Sequence, residues 1–102
     1  MKFDMYMKRG FAIITTPDEE NRVWIHRPIN NTITVCCSFS LEGRMEFIDA
    51  INNSECMVEV QEVHTFDEDY SSFIMQCKDN PEKCAERLLE AIPELMDKHV
   101  KL

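Results

Sequence analysis

Hydrophobic and polar residues alternate with two different periods along this chain. Residues 11–15, 22–26 and 33–39 are short, rich in β-branched residues and mostly alternating, which indicates β-strands. In the second segment Val23 and Ile25 share one face, and Trp24 shares the other face with His26. Short turns containing proline or asparagine separate the segments, so we expect an antiparallel meander.

After position 40 the apolar spacing changes to three and four residues. Ser40 is a favoured N-cap, and the pattern predicts a helix from Leu41 to Asn52. Residues 57–63 again indicate a strand, in which Glu62 falls on the inward side of the alternation and predicts a bulge or the strand's end. Residues 65–77 fit a helix or a strand, and we favour a strand that forms a hairpin with 57–63.

The clearest helix begins after Asn80, a favoured N-cap that precedes Pro81 at the first helical position. Its apolar stripe comprises Cys84, Leu88, Ala91, Ile92, Leu95 and Met96. Pro93 cannot donate to the helix, which predicts a kink or a second short helix beginning there. The elements together predict one α+β domain over residues 1–102, with an antiparallel sheet of four to five strands and two helices packed on one face.

The net charge of −8 is carried by the second half of the chain. Residues 1–48 contain six bases and six acids, whereas residues 49–102 contain five bases and thirteen acids. Such a surface repels phosphate backbones and anionic lipids, so we expect no direct contact with nucleic acid or membrane. It attracts basic proteins and speeds their encounter.

Cysteine usage and glycine content limit the chemistry. Five cysteines without CxxC spacing indicate free thiols in a reducing, cytoplasmic compartment, and no apolar leader follows the first lysine. Two glycines are too few for a phosphate-binding loop, and we predict no cofactor and no metal site. Cys77 and Cys84 could meet across the helix start. A cysteine paired with His26 or His64 leaves a small enzyme open as a third hypothesis, but nothing in the sequence places such a pair together.

The candidate binding residues are mostly carboxylates. A stripe of glutamates spaced four apart repels itself along the last helix, and a basic partner would relieve that repulsion. A solvated helix face is the alternative explanation. The predicted partner-binding residues are Glu82, Glu86, Glu90 and Glu94 of this stripe, Asp67, Glu68 and Asp69 of an acidic turn, Glu59 and Glu62 of the preceding strand, and Trp24.

These features predict binding rather than catalysis. We expect a small acidic protein that inhibits or neutralises a basic partner, of the immunity or antitoxin type directed at a nuclease toxin. In size and acidity the chain resembles bacterial toxin-immunity proteins and phage-encoded inhibitors, a likeness of composition that assigns no residue. The alternatives are a phage-type inhibitor of a host nucleic-acid-processing enzyme, and an adaptor subunit that acts by oligomerising.

Overall fold

The computed structural model of the chain describes residues 3–67 and 69–99. Within that part the chain forms six strands and two helices. In chain order they are β1 (Asp4–Lys8), β2 (Phe11–Thr15), β3 (Arg22–His26), β4 (Thr32–Cys37), α1 (Leu41–Asn52), β5 (Val58–Thr65), β6 (Ser71–Cys77) and α2 (Pro81–His99). The predicted α+β class is confirmed.

All strand pairs are antiparallel, and the strand order in the sheet is β1-β2-β3-β4-β6-β5. The sheet has six strands rather than the predicted four to five, because the sequence prediction missed β1. β1 joins β2 through the two-residue turn Arg9-Gly10, whose φ angles are 51° and 83°. Two positive φ angles are what a type I′ hairpin turn requires, and glycine supplies the second without a steric penalty.

Strand pairing decides the structure of residues 65–77 and the end of the strand predicted at 57–63, which the sequence left open. Residues 71–77 form strand β6, which lies between β4 and β5 and confirms the predicted hairpin with residues 57–63. The register of β5 shifts between Val60 and Glu62, so the predicted bulge is present. It returns Val63 to the side of the sheet on which Val58 and Val60 lie.

Both helices begin at the predicted caps. The Ser40 hydroxyl accepts a hydrogen bond from the backbone N–H of Gly43 at 3.3 Å, and the Asn80 side chain accepts one from the N–H of Glu82 at 3.0 Å. Helix α2 runs through Pro93 without interruption, so the suggestion of a second short helix starting there is wrong. A proline in a helix interior costs about 3 kcal/mol, and burial of Ile92 and Met96 on either side of Pro93 offsets that cost.

One hydrophobic core lies between the helices and a single face of the sheet. The predicted parity is confirmed, since Val23 and Ile25 face this core and Trp24 lies on the opposite face. The fully buried core residues include Ile14, Val23, Ile33, Val35, Phe73 and Met75 of the sheet, and Phe47, Ile51, Cys84, Leu88, Ile92 and Met96 of the helices. The other sheet face carries no helix in the described part of the chain.

A charged side chain is buried with this core. Arg44 of α1 is 1% exposed, and its guanidinium donates to the Phe39 carbonyl at 3.3 Å and to the Thr65 hydroxyl at 3.2 Å. These bonds join the first turn of α1 to the end of β5. No pattern in the sequence indicates that Arg44 is buried, because its partners are not its neighbours in the helix pattern and Thr65 is far from it along the chain.

Candidate interaction surface

The helix-free side of the sheet carries a cluster of aromatic rings. Trp24 projects from β3 and Phe11 from β2, and the hairpin between β5 and β6 adds Phe66 and Tyr70. We call these four residues the aromatic face. They line an apolar groove of about 250 Å³ together with Cys36 and Ser71.

Trp24 lies at the centre of the aromatic face. Its indole stacks on the Tyr70 ring, with 5.9 Å between centroids and 26° between planes. The Arg22 guanidinium lies 5.2 Å from the centroid of the same indole, within the range of a cation–π contact. Ile13, which pairs with Trp24 on β2, is only 4% exposed on the same side of the sheet.

The hairpin turn that supplies Phe66 and Tyr70 is held by hydrogen bonds within the turn. The N–H of Phe66 donates to the Tyr70 carbonyl at 3.0 Å, and the Asp67 carboxylate accepts from the N–H of Asp69 at 2.8 Å. Phe66 is 74% exposed and Tyr70 is 40% exposed. The turn therefore presents two large rings to solvent, with the carboxylates of Asp67 and Asp69 beside them.

Five of the predicted binding residues lie on this side of the molecule or at its rim. They are Trp24, Glu59, Glu62, Asp67 and Asp69. The last two are exposed in the hairpin turn, whereas Glu59 and Glu62 project from β5 and each contact another side chain of the chain. Glu62 lies 3.0 Å from a ring nitrogen of His64, and Glu59 lies 3.9 Å from the Lys78 ammonium. Glu68 lies outside the described residues.

The four glutamates of α2 lie on the other side. Glu82, Glu86, Glu90 and Glu94 are all exposed, and each is two positions from one of the buried residues Cys84, Leu88, Ile92 and Met96. Two positions correspond to about 200° around a helix, so these carboxylates point away from the sheet. The predicted carboxylates therefore form two separate acidic surfaces rather than one.

The α2 surface borders a polar groove of about 550 Å³ between α2 and the loop after α1. Glu90 and Glu94 line it with Arg87, whose guanidinium donates to the Glu55 carbonyl at 2.8 Å. This contact ties the helix to the loop, and it places a positive charge within the acidic stripe.

The cysteines divide between core and surface. Cys36 is half-buried on the aromatic face, whereas the adjacent Cys37 is completely buried on the opposite face, as the strand alternation predicts. Burial raises the pKa of the Cys37 thiol to about 12, despite a contact with the Ser71 hydroxyl at 3.4 Å. Cys77 and Cys84 lie next to each other, as the sequence suggested they could. Burial is the main cause that raises the pKa of the Cys77 thiol to about 11, and the neighbouring Cys84 thiol is the next.

Strand pairing separates Cys36 from His64, one of the cysteine–histidine pairs that the sequence left open. Cys36, Ser72 and His64 lie in one row across β4, β6 and β5. Adjacent strands are about 4.8 Å apart, so the backbones of His64 and Cys36 lie roughly 10 Å apart, with β6 between them. Nor do the described residues contain a group of three or more histidines, cysteines or carboxylates arranged to hold a metal ion.

No protein-family model, no curated protein and no solved structure matches this chain. In the residues that the structure describes, no helix combines the length and the apolar character needed to cross a bilayer.

Proposed function

We propose that this protein binds a basic segment of another protein on its aromatic face and inhibits or neutralises that partner. The observation that carries the proposal is the hairpin turn, in which Phe66 and Tyr70 are exposed next to Asp67 and Asp69. Aromatic rings attract lysine and arginine through their π faces, and carboxylates pair with the same cations. The two groups together are a chemistry suited to a basic side chain.

The molecule contains an internal example of this chemistry. Arg22 lies over the Trp24 indole, which itself stacks on Tyr70. A partner's lysine or arginine would meet the same kind of ring at Tyr70 and Phe66. Tryptophan and tyrosine are also the residues that most often dominate binding energy at protein interfaces.

The exposed rings support binding more strongly than charge alone does. Large apolar side chains are costly to leave in water, and clusters of them on a soluble domain usually mark an interaction site. The α2 glutamates need no partner to explain them, because charged residues are the ordinary covering of an amphipathic helix. We therefore assign the contact to the aromatic face and leave the α2 surface as the competing site.

A basic protein that acts on nucleic acid is the partner class that this surface fits. Such a protein carries lysines and arginines where phosphates bind, and an acidic protein seated there excludes the substrate. Net charge of −8 on the whole chain would speed the encounter. A cytoplasmic immunity-type inhibitor of a nuclease toxin is the specific form we propose, with a phage-type inhibitor of a host enzyme as the alternative.

The test compares two charge-reversal variants against one probe. We expect titration with an octalysine peptide to change the fluorescence of Trp24, the only tryptophan. Asp67→Lys/Asp69→Lys should weaken that binding about tenfold or more and flatten its salt dependence. Glu86→Lys/Glu90→Lys, with the same change in net charge, should reduce it only modestly. The opposite ranking would move the interface to α2.

The same variants can be tested for protection of cells. A basic nuclease encoded beside this protein would be co-expressed with the wild type and with each double variant. Survival of cells with the wild type and with Glu86→Lys/Glu90→Lys, but not with Asp67→Lys/Asp69→Lys, is the expected result. Equal protection by all three would exclude the aromatic face as the inhibitory surface.

A further inference from the structure

The two edges of the sheet are built differently. β5 forms one edge, where a bulge interrupts its pairing register and glutamates line the strand. Bulges and charges are the usual means by which proteins stop an edge strand from pairing with another chain. β1 forms the other edge, and it is a regular strand without a bulge.

The β1 edge is also apolar. Met5 is 53% exposed, Tyr6 39% and Met7 70%. The methionines lie on the helix side of the sheet, opposite Ile14 and Ala12 of β2, yet unlike those two buried residues they remain largely exposed. An exposed, regular and apolar edge strand is a surface on which a further strand can add.

The hairpin geometry shows which backbone groups face outward. The two-residue turn closes on Lys8 and Phe11, and the closing pair of such a hairpin is hydrogen-bonded. Hydrogen-bonded pairs alternate with non-bonded ones, so Lys8, Tyr6 and Asp4 bond to β2. The N–H and C=O groups of Met5 and Met7 therefore point to the open edge.

We propose that β1 pairs with β1 of a second copy of this chain, antiparallel and with Tyr6 opposite Tyr6, to form a symmetric dimer. This register places Asp4 of each copy opposite Lys8 of the other, so two pairs of opposite charges form. It also places Met5 opposite Met7, where their outward N–H and C=O groups bond to each other. Among the registers that a two-fold axis allows between two β1 strands, this one places each Asp4 opposite a Lys8.

The dimer has a consequence for the aromatic face. Directly opposed residues of antiparallel strands point to the same side of a sheet. Tyr6, Ile13 and Trp24 form one row across β1, β2 and β3 on the helix-free side. Pairing through β1 thus joins two helix-free faces into one continuous surface, although the dimer does not depend on what that surface binds.

Sedimentation equilibrium of the full chain tests the proposal. A five-residue strand gives a small interface, so we expect a micromolar dissociation constant. Asp4→Lys and Lys8→Asp each place like charges opposite one another and should weaken the dimer about tenfold. The double variant Asp4→Lys/Lys8→Asp restores opposite charges and should restore the dimer. An equimolar mixture of the two single variants should form a heterodimer.

These variants should leave the fold of each monomer intact. Asp4 and Lys8 face Thr15 and Phe11 in their own sheet, and among the residues that the structure describes neither forms an ion pair that the swaps would break. Met7→Pro removes only an outward N–H, which an edge strand tolerates, and it should give a monomer with an unchanged circular dichroism spectrum. A wild-type monomer at about 1 mM, or a dimer indifferent to both the swaps and Met7→Pro, would overturn the proposal.

Discussion

The Trp24 indole stacks on the ring of Tyr70, with 5.9 Å between the two centroids. The residues are 46 positions apart in the sequence numbering, and they meet because β6 pairs with β4, which in turn pairs with β3. The contact holds the turn between β5 and β6 against β3. It is the link between the acidic turn and the aromatic rings in the proposed binding surface.

Replacing Tyr70 by alanine should release this contact. We expect Trp24 emission to shift to longer wavelength as water reaches the indole, and the free energy of unfolding to fall by about 1 kcal/mol, the value of an aromatic pair. Tyr70→Phe retains the ring and should leave both quantities near those of the wild type. Since Trp24 is the only tryptophan, the signal is unambiguous. Identical spectra for the alanine variant and the wild type would contradict the stacking.

The buried guanidinium of Arg44 should contribute strongly to stability. Arg44→Ala leaves the Phe39 carbonyl and the Thr65 hydroxyl without this donor and opens a cavity, so we expect the free energy of unfolding to fall by about 3 kcal/mol. Arg87→Ala is the matched control, because Arg87 is also helical and also donates to a backbone carbonyl, but it is exposed. Arg87→Ala should lower the free energy of unfolding by less than about 1 kcal/mol. Equal losses, measured by urea denaturation, would show that the burial of Arg44 is unimportant.

The buried thiol of Cys37 should make the protein less stable at alkaline pH. Its pKa is raised from 9.0 to about 12 by burial, so the unfolded chain releases this proton at lower pH than the folded chain does. The contribution to stability is complete below pH 9 and is lost as the pH rises towards 12, by up to about 1.4 kcal/mol per pH unit.

The measurement compares the wild type with Cys37→Ala between about pH 8 and pH 10.5. The alanine variant has no thiol to ionise at this position, so the difference in the free energy of unfolding should narrow above pH 9. Other groups that titrate in this range are common to both proteins, and their effects cancel in the difference. Parallel curves would mean that the Cys37 pKa is the same in the folded and unfolded chain.

Local pattern was a sound guide to most elements. The period of the apolar residues placed β2, β3 and both helices, and it assigned Val23 and Ile25 to the core side. Side-chain direction repeats every two residues in a strand and every 3.6 in a helix, so neighbouring residues contain this information. The same alternation is present in β1, where Met5 and Met7 flank Tyr6 before the Arg9-Gly10 turn, although no strand is predicted there.

The candidate site could be predicted only in part. Trp24, Asp67 and Asp69 are predicted binding residues, whereas Phe66 and Tyr70 are not among the residues predicted to bind. Their exposure depends on the hairpin turn, and their position beside Trp24 depends on the strand order. Neither is encoded within a few residues of the chain.

By itself the sequence determined the fold class, the helix caps and the acidic balance of the second half, because each follows from residue type and short-range spacing. Only the tertiary structure decided that the α2 glutamates and the hairpin acids lie on opposite sides, that Arg44 is buried, and that β1 is an open edge. These depend on which sheet face the helices cover and which strands become neighbours. Both are set by contacts between residues far apart in the chain.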